Sequence, residues 1–342
     1  RRPPCPPRPP AAAGAAVSAL PDLVAHADWS VDARKRWIAV AARGRTGWRL
    51  DAPEPVEEPR DLPERLRERA GGGGVLAGFD FPIGLPAAYA AAAGINDFPQ
   101  WLAALGQPPW DRFADVCERP EEIGLHRPFY PRRPGGTRRA HLLDALGARS
   151  TDDLRRRCER ATATRTAACP LFWTLGGNQV GKGALAGWRD LLAPALRGGR
   201  VDLWPFHGTL ADLAGRGRVV VAETYPAEYY RPLGVRFPPP GEARGGKRSQ
   251  AARRANGPAL IAWAGRNGVT LARDLVDQVW DGFGPKPKGE DAFDAVVGAL
   301  GMLRAVLGRP AAWEPEEPVV RRVEGWILGM TRMPGMAGTA GP

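Results

Sequence analysis

From residue 24 onward, apolar and polar positions alternate with the period of two that suits β-strands. Val24–Val31 (VAHADWSV) predicts a first strand, Arg36–Ala42 (RWIAVAA) a second after a turn at Asp32–Lys35, and a third is predicted near Trp48–Leu50 beyond Gly44–Arg45–Thr46. Strands joined this tightly form an antiparallel meander, because a parallel return needs a crossover of about a dozen residues. The spacing then predicts a helix over Leu62–Ala70, closed by Gly71–Gly74. Val75–Phe81 (VLAGFDF) predicts a fourth strand, which the intervening helix allows to run parallel to the first. Arg218–Thr224 (RVVVAET) is a β-branched run suited to a fifth strand buried on both faces. Gln250–Gly265, Leu271–Trp280 and Asp291–Leu307 predict helices. The expected fold class is α/β: a three-stranded antiparallel meander plus parallel strands and flanking helices. It forms a single domain over 21–330, with a large, mostly helical insertion at about 86–215 that carries no strand pattern. The Pro- and Ala-rich residues 1–20 and the tail 331–342 are predicted to be disordered.

Acidic residues fall at the ends of these strands. Asp28 sits near the end of the first, Asp80 near the end of the fourth and Glu223 at the end of the fifth. If the three strands are parallel, the acids gather at the carboxyl edge of the sheet, where open α/β sheets place their sites. Any one of them reads equally well as a cap or turn residue. Three together repel one another and call for a cation, a shared proton or basic partners. Asp291 and Asp294, three apart on the last helix, share a face and add a further pair. Gly298, Gly301 and Ala305 on the same helix predict close docking, while Phe293, Val296, Val297, Leu300 and Leu303 provide its apolar seat. Oxygen-only ligands favour Mg²⁺ or Mn²⁺ over zinc. His26 shares the face of Asp28 but reads first as a core histidine.

Charge extends this picture to a partner. The chain has 48 basic and 37 acidic residues, a net charge of +11, which favours polyanions. Arg132, Arg133, Arg138 and Arg139 cluster in one Pro/Gly-rich loop with Phe129 and Tyr130, and Lys247 and Arg248 precede a helix. These six are the candidate nucleic-acid contacts, a solvated basic face being the bland alternative. No apolar run is long enough for a membrane span and AAAGAAVSAL is too weakly apolar for a signal peptide, so a cytoplasmic protein is expected. Four scattered cysteines read as reduced thiols, not as a zinc site or a disulfide framework.

HADWSVDARKRWIAVA, GFDFPIGLP, VAETYPAEYY, KRSQAARR, EDAFDAVVGAL and EGWILG, spanning most of 24–329, resemble the family catalogued as domain of unknown function 429, whose members are predicted RNase H-like nucleases. The resemblance implies an RNase H-like core with an acidic site on Asp28, Asp80, Glu223, Asp291 and Asp294, arranged as in Holliday-junction resolvases. It implies a metal-dependent nuclease that hydrolyses phosphodiester bonds through a two-metal site, and such junction cutters usually work as homodimers. Asp28-Trp29-Ser30 departs from the family's wording, which has glycine around the acid.

Three rival readings remain. Gly176–Gly183 (GGNQVGKG) imitates a phosphate-binding P-loop, but Gly183 stands where a Ser or Thr would hold Mg²⁺. An actin-like phosphotransferase shares the core topology but usually carries two copies of it. A non-enzymatic nucleic-acid-binding protein would keep the fold and use the basic residues alone.

Overall fold

In Leu23–Asp28 (β1), Leu23, Ala25 and Ala27 pack into one core while Val24 packs into another on the opposite face. A strand buried on both sides has to lie inside the sheet, with layers above and below it. The structure, a computed structural model, describes residues 20–162, 165–176, 180–214, 216–238, 246–285, 288–308 and 313–332. Apart from Leu20, Thr331 and Arg332, the terminal segments predicted to be disordered lie outside these residues.

The other strands are β2 (Trp37–Arg43), β3 (Trp48–Leu50), β4 (Glu54–Pro55), β5 (Val75–Phe79), β6 (Val201–Leu203), β7 (Val219–Glu223) and β8 (Val269–Leu271). They form one mixed sheet in the order β6-β7-β5-β1-β2-β3-β8, with β4 beside β2. As the tight turns predict, β1, β2 and β3 pair antiparallel. The helix Leu62–Arg69 separates β3 from β5, and β1, β5 and β7 pair parallel.

Three strands were not foreseen. β6 lies within the segment read as a strandless insertion and extends the sheet parallel to β7. Its three residues are too few to show a period, and its place comes from pairing, not from pattern. β4 is an exposed two-residue pairing containing Pro55. β8 takes Leu271 from the predicted helix, which starts instead at Arg273, because Leu271 pairs with Leu50.

One face of the sheet carries Leu62 and Leu66 with the bulk of the insertion, including Phe98, Trp101, Phe113 and Trp188. The other carries the helices Gln250–Arg266, Arg273–Asp281 and Lys288–Val306. Lys288–Val306 lies directly across β1 and β2. Gly298 makes this approach possible, since a Cβ there would stand 2.2 Å from the ring of His26. His26 is fully buried, and burial pushes its imidazole down to about 3, so it packs as a neutral ring. The loop after β5 meets the C-terminal segment just as closely: a Cβ on Gly84 would lie 2.0 Å from the Glu324 carbonyl oxygen, and one on Gly325 2.2 Å from that of Ile83. Among the described residues no helix is long and apolar enough to cross a membrane.

Candidate carboxylate site

Asp28 is the last residue of β1, and Asp80 follows the last residue of β5. The parallel register pairs Ala27 with Phe79, which brings the next residues, Asp28 and Asp80, level at the strand ends. Ala27 and Phe79 belong to the core on the insertion side, so by alternation the two acids turn towards the helix Lys288–Val306. That helix presents Asp291 two turns and Asp294 one turn before Gly298, whose contact with His26 sets its height above β1.

The four aspartates act on one another. Burial pushes Asp28 well above the ordinary carboxylate range, reinforced by the charges of Asp80 and Asp294. Burial also raises Asp80, to about 7, against a hydrogen bond from the Trp29 backbone N–H at 2.6 Å and one shared with the Asp28 side chain. Asp291 is raised to about 6 by burial and by the adjacent Glu290, and its Oδ2 is buried without a hydrogen-bond partner. Asp294, only 2% exposed, accepts from the Tyr230 hydroxyl at 2.7 Å and from the Lys247 ammonium.

Lys247 therefore has a different place from the solvent-facing one expected of a phosphate contact. Its Nζ pairs with Asp294 and lies 3.6 Å from Glu290. Burial alone would lower its pKa, but the charges of Asp294, Asp28 and Glu290 outweigh that and raise it. The ammonium is the local counter-ion of the cluster. Of the three remedies for their repulsion, a basic partner is therefore present.

Glu223 stands apart. Its register partner is Phe79, not Asp80, so it lies one residue short of the aspartate row and turns to the opposite face. There it is 4% exposed and gripped by Arg156, whose Nη2 donates to Oε1 at 2.6 Å while Nη1 donates to Oε2. Arg156 is fully buried and also binds Glu159. The second carboxylate oxygen of Glu223 accepts from the Ile83 N–H at 2.7 Å. Glu223 thus holds the loop that follows Asp80 without facing the other acids. The structure brings together Asp28, Asp80, Asp291 and Asp294 and puts Glu223 beneath the sheet.

Trp29 explains the bulky residue beside Asp28. Its ring packs edge-on to Phe79 at 5.5 Å, against Phe81 at 5.6 Å and beneath the Arg36 guanidinium at 4.4 Å. Arg36 also donates to the Ser30 carbonyl at 2.6 Å and fixes the turn leaving β1. The period-two pattern did not reveal Lys247, Tyr230 or Glu290 as members of the site. Their only sequence signal is position, Glu290 beside Asp291 and Tyr230 within AETYPAEYY.

The remaining basic candidates are exposed. Arg132 and Arg133 both reach Glu118 at 3.4 Å, Arg139 lies over Trp173 at 5.7 Å, and Arg138 and Arg248 are open to solvent. Gly177–Gln179 of the P-loop-like motif lie outside the described residues, and Gly181–Gly187 forms a short helix packed on Phe81.

Among the described residues, no three His, Cys, Asp or Glu side chains are already arranged to hold a metal ion. The donor chemistry nevertheless suits one: all oxygens, with three raised carboxyls and an unpartnered Asp291 Oδ2. No protein-family model, curated protein or solved structure matches this chain. The likeness to the domain-429 family therefore rests on the motifs themselves.

Proposed function

We propose that this chain is a Mg²⁺- or Mn²⁺-dependent nuclease on an RNase H-like core. The observation that carries the reading is the convergence of Asp28, Asp80, Asp291 and Asp294 from two parallel strand ends and one helix. The strand order β3-β2-β1-β5-β7, with an antiparallel first half and a parallel second, supports the same core. So does the motif resemblance.

The four aspartates would hold the cations, which supply an activated water and charge relief for a phosphodiester when bound. Tyr230 orients Asp294, and the Trp29 N–H fixes one oxygen of Asp80. Glu223 acts at one remove, by anchoring Ile83 and hence the turn after Asp80. Lys247 must release Asp294 for a cation to use that carboxylate fully, so ammonium and metal compete for one place. Exposed arginines of the insertion would supply phosphate affinity.

The second reading, a non-enzymatic nucleic-acid-binding protein, is favoured by that same Lys247: it already neutralises part of the cluster. Labelled single-stranded, duplex, hybrid and branched substrates, incubated with the protein in EDTA, Mg²⁺ or Mn²⁺, separate the two. The expected result is metal-dependent cleavage that Asp28→Asn and Asp80→Asn each reduce by roughly a thousandfold or more, with binding retained. Cleavage that persists in both variants rejects this site, and tight binding without cleavage of any substrate selects the second reading.

A further inference from the structure

Beside the carboxylates, a cleft of about 560 Å³ opens between the turn after β1 and the insertion, with Val31, Asp115, Arg127, Arg132 and Lys182 on its walls. Two links place it next to the aspartates. Val31 is three residues beyond Asp28, a reach of at most about 11 Å. Lys182 precedes Gly183, where a Cβ would lie 3.9 Å from the Cβ of Phe81, the neighbour of Asp80.

Two of the three cations in this cleft, Lys182 and Arg132, are little committed. Lys182 makes no hydrogen bond or ion pair among the described residues, and the Arg132 guanidinium, 62% exposed, touches only Glu118, at 3.4 Å. Asp115, the acid in the wall, is offset by Arg112 at 3.3 Å. Arg127 continues into a second hollow of about 390 Å³, whose wall carries His126 and Arg112 together with the carboxylates Asp111 and Glu122. His126 is exposed and its ring lies against Trp110, with centroids 4.6 Å apart. A cation-rich hollow leading into one of balanced charge with an exposed, aromatic-backed ring suits a single strand: cations along the backbone and a ring for a base. The first hollow lies in the size range of small-ligand pockets, which suits one strand better than a duplex.

We infer that this cleft binds a single-stranded polynucleotide, with Arg132, Lys182 and Arg127 on consecutive phosphates and His126 under a base, and delivers the strand to the aspartate cluster. The inference rests on the nuclease reading only for its last step. Arg127 also reaches the Val116 carbonyl and Glu122, so it is left intact in the test.

The test is binding of a fluorescent 12-nucleotide single strand in EDTA across a salt series, for the parent, Arg132→Gln/Lys182→Gln and His126→Ala. A charge-matched control, Arg67→Gln/Arg266→Gln, removes two exposed cations outside the cleft. Arg132→Gln/Lys182→Gln should weaken binding at least tenfold near 0.1 M salt and flatten the slope of log affinity against log salt by about 1.4, at about 0.7 per phosphate on single strands. His126→Ala should weaken binding about fivefold or more with the slope unchanged, because stacking releases no counter-ions. If the double variant unfolds, Lys182→Gln alone should give half the slope change.

Equal losses in the cleft variant and the control overturn the inference. Failure of the nuclease reading looks different: the cleft effects appear in EDTA, yet no metal supports cleavage. Conversely, cleavage by the parent with binding unchanged in both cleft variants keeps the nuclease and rejects the cleft.

Discussion

The backbone N–H of Trp29 donates to Asp80 Oδ1 at 2.6 Å, so the residue that follows one site carboxylate is tied to another. Two acids that repel each other are thus locked together by the backbone immediately after β1. Their repulsion is relieved by protons when no cation is present, and that relief depends on pH.

Asp80 has a folded pKa of about 7 against an ordinary value of 3.8. Since the folded carboxyl holds its proton more tightly than the unfolded one, its contribution to stability is fully present below about pH 4 and is lost as pH rises through about 7. Asp291, raised to about 6, acts in the same direction. In EDTA the parent should therefore lose stability between pH 5 and pH 8. Asp80→Asn, which keeps an acceptor for the Trp29 N–H and has no proton to lose, should reduce that loss by on the order of 1–2 kcal/mol. Urea unfolding at both pH values measures it, and identical slopes in parent and variant would show that Asp80 is not strained.

Lys247→Met tests the internal cation. In EDTA it leaves Asp294, 2% exposed, with only the Tyr230 hydroxyl, and should cost about 2–3 kcal/mol, since Lys247 is itself partly exposed. Millimolar Mn²⁺ should restore most of this, giving a larger rise in Tm than in the parent, because the metal no longer competes with an ammonium. An equal Mn²⁺ shift in both proteins would mean that metal and Lys247 do not share Asp294.

The meander and the parallel placement of β1, β5 and β7 were legible in the sequence because alternation and turn length fix them locally. The convergence of Asp28, Asp80, Asp291 and Asp294 follows from that topology. Glu223 was misplaced relative to them because strand-end position shows which edge an acid occupies but not which face. The face depends on a one-residue register between β5 and β7 that no single strand records. Lys247 resisted reading for another reason: a lysine before a helix reads as solvated until the fold shows the carboxylate waiting for it. β6 and β8 are three residues each, below the length at which a period is readable.

Gly298→Ala should disturb the site from a distance. Its new methyl would meet the His26 ring and push the helix Lys288–Val306 away from β1. Overpacking of this kind costs about 1–3 kcal/mol, partly offset by the roughly 1 kcal/mol that alanine gains over glycine inside a helix. Because Asp291 and Asp294 ride on that helix, the Mn²⁺-induced rise in Tm should fall by half or more. Gly265→Ala, at a helical position with no neighbour within 4 Å of the added Cβ, should leave the Mn²⁺ shift intact. A full Mn²⁺ shift in Gly298→Ala would mean that the helix does not set the site.

The sharpest contrast lies between Glu223 and Asp80, whose positions are separated by one residue of register. Glu223→Gln removes one of the two carboxylates on the fully buried Arg156, leaves Glu159 paired with it, and keeps a carbonyl that can still accept from the Ile83 N–H. Weakening the charged hydrogen bonds between Glu223 and a buried guanidinium that keeps Glu159 as its ion-pair partner should cost about 1.5–3 kcal/mol in urea unfolding, with or without metal. Its Mn²⁺-induced rise in Tm should match the parent's, because the side chain lies under the opposite face of the sheet. Asp80→Asn should do the reverse, holding or gaining stability in EDTA at pH 8 and losing most of the Mn²⁺ shift. Arg156→Met, which leaves Glu159 and Glu223 buried without their shared partner, should destabilise at least as much as Glu223→Gln. Differential scanning fluorimetry of the three variants in EDTA and in Mn²⁺ decides the matter. If Glu223→Gln abolishes the metal shift as completely as Asp80→Asn, the two carboxylates serve one site, and the division by sheet face argued from their register is rejected.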